Sequence, residues 1–323
     1  MAGNTAAHAE GFSTKATAQY AHSEGQNTTA SGVASHSEGG STQATATHAH
    51  AEGQTTVAQG EASHAEGVGA IAYERAAHAE GINTRAFYSQ HASGKYNVYR
   101  VGPTGDADTT GTLFMVGCGT GDGARSNAFR VDANGKSYFA QAITTSGADF
   151  AEFLEWADGN PDNEDRRGKM VALMGDKIRY ATNMTECIGV ISAEGAFVGN
   201  SADEEWQNKY LTDVFGTRLT QTVEIPATIN EETGEVITPA YTATQFVINP
   251  EYNNEEVYIP RAERREWTKV GLVGQLVVVD DGSCVVGGRV KPGVDGVGTA
   301  SNDGTGYIVM ARIDENHIKV LVK

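Results

Sequence analysis

The sequence predicts an all-β chain of three parts: stacked 14-residue β-coils over 1–91, a β-shaft over 92–145 and a compact β-domain over 146–323. Three observations predict it. A motif recurs at a fixed spacing of 14 without insertion or deletion, composition breaks sharply near residue 95, and Val/Ile-rich runs fill the C-terminal half.

The break is visible in first occurrences: the first Pro is Pro103, the first Asp is Asp106 and the first Leu is Leu113. Before them the chain is Ala, Gly, Ser, Thr, His, Glu and Gln with a few aromatics, which cannot build an ordinary globular core. Such a stretch is either disordered or a repeat.

The pattern small-His-small-Glu-Gly decides for a repeat. Histidines fall at His8, His22, His36, His50, His64 and His78. Glu10 to Glu80 and Gly11 to Gly81 keep the same step, as does an alanine column from Ala16 to Ala86. Within each unit the spacing is two, so His and Glu share one face of a short strand and small residues the other. The T-x-A segment is a second short strand, and Gly is expected to mark the turn. Two strands per unit make one coil of a solenoid, with coils stacked at about 4.8 Å. An inner face of Ala, Ser and Thr suits a narrow coil and buries little apolar area, so lateral association of several chains is expected.

These residues resemble the head repeat of the trimeric autotransporter adhesins, a left-handed parallel β-roll with a 14-residue unit. The resemblance covers about residues 5–90 and implies a homotrimer whose His and Glu positions, Val and Ile in that family, face neighbouring chains. The His/Glu columns have two readings, a ladder of His–Glu hydrogen bonds or a column of metal sites or a pH switch. His48 lies outside the column, and His91, one residue off register, is read as the end of the roll.

Over 92–145, segments such as TLFMVGCGTG and NAFRVDANGKSYF alternate apolar and polar residues, with turns expected at Gly102–Gly105, Gly119–Gly123 and Ala133-Asn134-Gly135. Asn134-Gly135 predicts a hairpin. GTGDG lacks the Gly-Lys-Ser/Thr ending and following helix of a phosphate loop, so it reads as a turn of an interwound β-shaft.

From residue 146 the chain carries enough Leu, Val, Ile, Phe and Trp for its own core, with strands expected at 187–191, 270–279 and 318–322. Trp156, Trp206 and Trp267 are read as core or intersubunit anchors and Asp280-Asp281-Gly282 as a turn. Asp149, Glu152 and Glu155 stand three apart. A carboxylate can attack the carbonyl of the preceding residue through a six-membered ring, proximity replacing a second reactant. A second carboxylate can protonate the leaving amine or activate water. His317 is the sole His after His91, so no Ser-His-Asp set is credible.

The blocks S-G-A-D-F-A-E-F-x-E-W, R-R-E-W-x-x-V-G-L-x-G-Q, D-D-G-S-C and M-x-R-I-D occur in that order over about 146–323. They resemble the C-terminal intramolecular chaperone autoproteolytic domain of phage appendage and tail-spike proteins, of glutamic-peptidase type. The resemblance implies a domain that drives trimerisation and then cuts its own chain once, before the Asp of D-x-x-E. Carried onto this sequence, the cut is Ala148–Asp149, with Asp149 as nucleophile or local acid and Glu152 as general acid/base. Ala148 offers no hydroxyl at the cut, and Ser146 stands two positions earlier.

The expected protein is a phage or prophage tail-fibre component of the virion tail, made in the host cytoplasm, whose roll is a spacer or host-contacting surface. Alternatives are a fibre with an uncleaved, inactive cap and an adhesin that binds host cell-surface carbohydrate. No cofactor and no catalytic metal are expected. A net charge of −17 argues against nucleic-acid partners and anionic membranes. Without a basic-plus-apolar leader at Met1 or an apolar run near ~18 residues, neither signal-directed export nor membrane insertion is expected. Cys118, Cys187 and Cys284 are odd in number and read as small buried hydrophobes of a chain made in a reducing cytoplasm.

Overall fold

The computed structural model describes residues 2–323 except 101, 104, 106–110, 203–205, 230–233, 235 and 239. The fold is almost entirely β; the described helices are two single 3₁₀ turns, Arg261–Glu263 and Val294–Gly296. No described helix is long and apolar enough to cross a membrane. The chain falls into two compact units, Met1–Ile143 with Arg218–Val247, and Thr144–Thr217 with Ile248–Lys323.

In the first unit the repeat forms stacked coils as predicted. Strands His8–Phe12, His22–Gln26, His36–Gly40, His50–Ala51, His64–Val68 and His78–Ile82 pair in parallel, each His against the next. A second parallel sheet runs from Lys15–Ala16 to Arg85–Ala86, the T-x-A segment of each coil. The inner Ala, Ser and Thr are buried, and their hydroxyls are mostly paired, as Ser23 with Thr28 and Ser37 with Thr42, both at 2.8 Å, while the Thr84 hydroxyl has no partner. Thr42 and Thr56 also donate to the Glu38 and Glu52 carbonyls. This pairing is what allows hydroxyls in so thin a core.

The placing of the turns is corrected. The motif glycine lies within the strand in every coil but that of Gly53, with φ between 97° and 111° from Gly11 to Gly81, and a Cβ there would overlap the carbonyl of the glycine on the next coil. The coil turns instead at left-handed residues seven apart, from Ala6, Ser13, Tyr20 and Asn27 through His48 and Thr55 to Asn83, nearly all of them not glycine. Rung-to-rung hydrogen bonds hold these corners, as from Asn27 N–H to Phe12 and from His48 N–H to Val33. His48 is thus a corner residue.

The reading of His91 as the end of the roll is also corrected. The 14-residue spacing stops there, but the sheet continues through His91–Lys95, where His91 pairs with His78, and Thr112–Cys118, where Phe114 pairs with His91. A coil one residue short is accommodated by buried polar side chains. Gln90 accepts from Phe87 N–H and donates to the Arg100 carbonyl, Asn97 bonds the N–H and carbonyl of Arg85, and Met115 fills the space beneath. Antiparallel strands Asn127–Asp132 and Ser137–Phe139 complete this sheet, and the predicted hairpin at Asn134-Gly135 joins them. The turn expected at Gly102–Gly105 lies partly outside the described residues. Neither NVYRV nor QAITT is a strand in its described part.

In the second unit, Cys187–Ile191, Trp267–Val279 and His317–Val322 are strands, as the Val/Ile-rich runs predict. The sheet orders Lys177–Tyr180, Met170–Met174, Cys187–Ile191, Trp267–Val279, His317–Val322, Tyr307–Arg312, Arg289–Pro292 and Gly298–Ala300. Alternation along these strands feeds two cores: Met170, Val190, Val278 and Ile318 in one, Trp156, Val171, Ile178 and Val270 in the other. Trp156 is a core residue, as expected, and the buried Arg166 stacks on it at 4.5 Å while bridging Asp158 and Glu164 of the acidic turn. Trp267 stacks under Arg261 at 3.8 Å, and Trp206 meets Tyr258 edge-on. Asp280 is more than a turn residue, since it is buried and ion-paired with Arg312. Among the cysteines, Cys284 is buried, Cys187 half-buried and Cys118 exposed.

Candidate functional site

DFAEFLE alternates in burial because it is a strand, Asp149–Glu155. It lies antiparallel to Trp267–Val279, with Asp149 opposite Gly274, and parallel to Phe197–Gly199. Ala148 is exposed and Asp149 is 3% exposed, so the expected cut lies where an exposed extended segment enters the sheet.

The backbone around this bond is held closely. The Ala148 carbonyl accepts the Gln275 N–H at 3.1 Å, and the Asp149 carbonyl accepts the Ala196 N–H at 2.8 Å. Gly274, at φ 121°, lies against the same peptide, where a Cβ would overlap the Ala148 carbonyl oxygen and stand 2.7 Å from the Asp149 Cα. Gly271 serves the side chain instead: a Cβ there would come within 2.9 Å of Asp149 Oδ2. The two glycines and the glutamine of V-G-L-x-G-Q are therefore the complement of the Ala148–Asp149 peptide. Sequence reasoning quoted this block as a family mark without giving it a role.

Asp149 Oδ2 is buried with no hydrogen-bond partner. A carboxyl oxygen so placed is shielded from water without a protein donor in its place, which is rare in a folded protein. A cleft of about 670 Å³ opens beside it, lined among others by Asp165, Arg167, Lys169, Ser192, Gln275 and His317. Arg167 grips Asp165 through paired hydrogen bonds and holds its carboxyl down at about 2, so one cation and one anion of this rim neutralise each other.

Glu152 is not beside Asp149. Three positions along a strand reverse the side-chain direction and cover roughly 10 Å. Asp149, Ala151 and Phe153 are buried on one face, while half-buried Glu152 stands on the other, near Gly199. Glu155, third of the series, is paired with Lys177 at 2.6 Å. Spacing alone conceals this arrangement, because i and i+3 meet on a helix and diverge on a strand.

The family model described as "Peptidase_G2, IMC autoproteolytic cleavage domain" matches residues 108–318. The chain belongs to the Peptidase_G2 family. This Peptidase_G2 chain is 31% identical over 223 residues to the pre-neck appendage protein of Bacillus phage B103, covering 69% of the chain and 22% of that protein. It is 33% identical over 178 residues to the pre-neck appendage protein of Bacillus phage phi29, covering 54% and 19%. A putative phage-related protein, YobO, of Bacillus subtilis (strain 168) is 35% identical over 173 residues, 53% of this chain and 20% of that one. The crystal structure of pre-mature bacteriophage phi29 gene product 12 shares the fold, with TM-score 0.62 and 22% identity over 98% of this chain and 39% of that one. The Peptidase_G2 chain thus spans about a fifth of the length of the curated relatives it matches.

Proposed function

We propose that this chain is a phage or prophage appendage component of the virion tail that assembles as a homotrimer and hydrolyses its own Ala148–Asp149 bond once. The roll then serves as spacer or host-contacting surface. The observation that carries the reading is the Ala148 carbonyl held by the Gln275 N–H, beside a buried Asp149 carboxylate with a free oxygen.

In the proposed chemistry an Asp149 Oδ attacks the Ala148 carbonyl carbon through a six-membered ring. The new C–O bond forms, the peptide C–N bond breaks, and its electron pair leaves with the nitrogen. That nitrogen takes a proton and departs as the amino group of Asp149. Water then adds to the Ala148–Asp149 anhydride, leaving a carboxylate on Ala148 and restoring the Asp149 side chain. The Gln275 N–H lies where negative charge develops on the carbonyl oxygen. Glu152 is assigned the proton transfers, general acid to the amine and general base to water. Because it stands on the opposite face of its own strand, it is proposed to act at the bond of a neighbouring copy. Cleavage is then gated by assembly.

The test is the intact mass, under denaturing conditions, of freshly purified protein beside Glu152→Ala. Two fragments split at Ala148–Asp149 in the wild type and one whole chain in the variant are expected. An uncut wild type that still forms trimers would overturn the peptidase assignment and leave a fibre with a structural cap. The divergence of Asp149 and Glu152 within one chain, together with Ala148 at the cut, is what favours that second reading.

A further inference from the structure

The outward columns of the roll hold a feature that self-cleavage does not use. The rings of His22, His36, His50 and His64 stack with centroids 4.7 Å apart and planes within 7°. The Nε2 atoms of His22, His36, His50, His64, His78 and His91 are all shielded from solvent and lack a hydrogen-bond partner. Each faces carboxylates at more than hydrogen-bonding distance: His64 to Glu52 and His91 to Glu80 at 3.4 Å, His36 to Glu38 at 3.8 Å, His78 to Glu66 at 3.9 Å.

The two 3.4 Å separations match the spacing of donors on a bound ion, and those of 3.8 and 3.9 Å are slightly wider. Ligand atoms about 2.0–2.2 Å from a tetrahedral ion stand roughly 3.3–3.6 Å apart. Donor atoms also converge in threes, within 4.8 Å of one another: Glu24–His36–Glu38, Glu38–His50–Glu52, Glu52–His64–Glu66 and His78–Glu80–His91. One imidazole with two carboxylates, as in the first three sets, cancels the charge of a divalent ion; two imidazoles with Glu80 leave one positive charge at the fourth, and such mixed N/O sets suit zinc and its neighbours among the transition metals.

We propose that the roll binds divalent transition-metal ions, zinc foremost, in these His/Glu triads. Neighbouring triads share Glu38 and Glu52, so two ions cannot occupy adjacent rungs with full ligand sets. The independent sets are Glu24–His36–Glu38, Glu52–His64–Glu66 and His78–Glu80–His91, three per chain. The ligand residues are all half-buried, with the ligating Nε2 atoms themselves shielded. The proposal is independent of the cleavage reading, since every ligand lies before the cut.

The test is calorimetric titration of untagged, chelator-stripped full-length protein with Zn²⁺, with Co²⁺ as a spectroscopic probe. About three ions per chain are expected, with visible Co²⁺ absorption of low-symmetry four-coordinate type. His36→Gln and His64→Gln should each remove about one ion, and the quadruple variant that adds His50→Gln and His91→Gln should bind none, because His50 otherwise keeps the Glu38–His50–Glu52 triad. Circular dichroism confirms that the variants keep their sheet. Absence of binding to folded wild type, or unchanged stoichiometry in a folded quadruple variant, overturns the proposal.

Discussion

The Gln275 N–H donates to the Ala148 carbonyl at 3.1 Å, which places the V-G-L-x-G-Q block directly on the bond read as scissile. Gly274 permits this approach by adopting φ 121°, where L side chains are strained, and by having no Cβ to meet the Ala148 oxygen. Gly274→Ala should therefore displace the peptide and cut self-cleavage at least about 100-fold, the range seen when one positioned donor to a developing oxyanion is lost. Intact mass against time after synthesis checks it. Cleavage at the wild-type rate would show that this contact is not used.

Gly271 supports the other reactant. A Cβ there would crowd Asp149 Oδ2 at 2.9 Å and Leu276 Cδ1 at 2.6 Å. Gly271→Ala is expected to slow cleavage by moving the carboxylate, while Asp149→Asn removes the nucleophile and should abolish it. Recovery of partial cleavage in Gly271→Ala/Leu276→Ala, which restores the space, would separate crowding from misfolding.

In the proposed mechanism the opposed faces of Asp149 and Glu152 make cleavage dependent on partners. Co-expression of Asp149→Asn chains with Glu152→Ala chains should give mixed assemblies in which some Glu152→Ala chains are cut, served by the Glu152 of a neighbour. Mass spectrometry assigns each fragment to its parent by the substitution it carries. Uncut chains of both kinds in mixed assemblies would place both carboxylates in the same copy.

The repeat was legible in the sequence because 14-residue spacing prints every coil in one column. Its corners were not, because they fall on Ala, Ser, Tyr, Asn, His and Thr in left-handed conformation, held there by rung-to-rung hydrogen bonds that no local motif announces. The segment that carries Asp149 and Glu152 was singled out through its motif, though not as a strand. The motif could not show that Asp149 and Glu152 diverge, since that follows from strand geometry. Nor could spacing show that D-D-G-S-C and M-x-R-I-D meet, because Asp280 and Arg312 are joined only by the sheet between them.

That meeting is a stability determinant of the cleavage unit. Asp280 is fully buried as a side chain, and Arg312 reaches both its oxygens while donating to the Cys284 carbonyl. Burial pushes the Asp280 carboxyl up, but the Arg312 guanidinium and the Cys284 N–H outweigh it and hold it below the usual carboxylate value. Arg312→Met leaves this charge buried and unpaired and should cost about 3–5 kcal/mol. A depressed carboxyl stabilises the fold above its unfolded pKa of about 3.9 and loses that contribution as pH falls through the folded value. The wild-type advantage over Asp280→Asn should therefore be full near neutrality and shrink below pH about 4, as read from urea midpoints across that range. An advantage unchanged down to pH about 2 would contradict this pairing.

The roll makes the opposite demand, for small size rather than charge. Ala44, Ala58 and Ala72 are fully buried in one column, within a buried hydrophobic cluster that is alanine throughout except for Met115. Ala58→Val adds two methyl groups where coil spacing is fixed by backbone hydrogen bonds above and below, such as Thr45 N–H to the Ala58 carbonyl at 2.9 Å. Overpacking of this kind costs typically about 1–3 kcal/mol. Ala58→Ser keeps the volume and adds a hydroxyl of the kind the coil already pairs at Ser23 and Ser37. It should cost clearly less than Ala58→Val. Thermal unfolding of the two variants ranks them. A valine tolerated as well as serine would mean that the coils can spread, and that the small residues are not what sets the width of the roll.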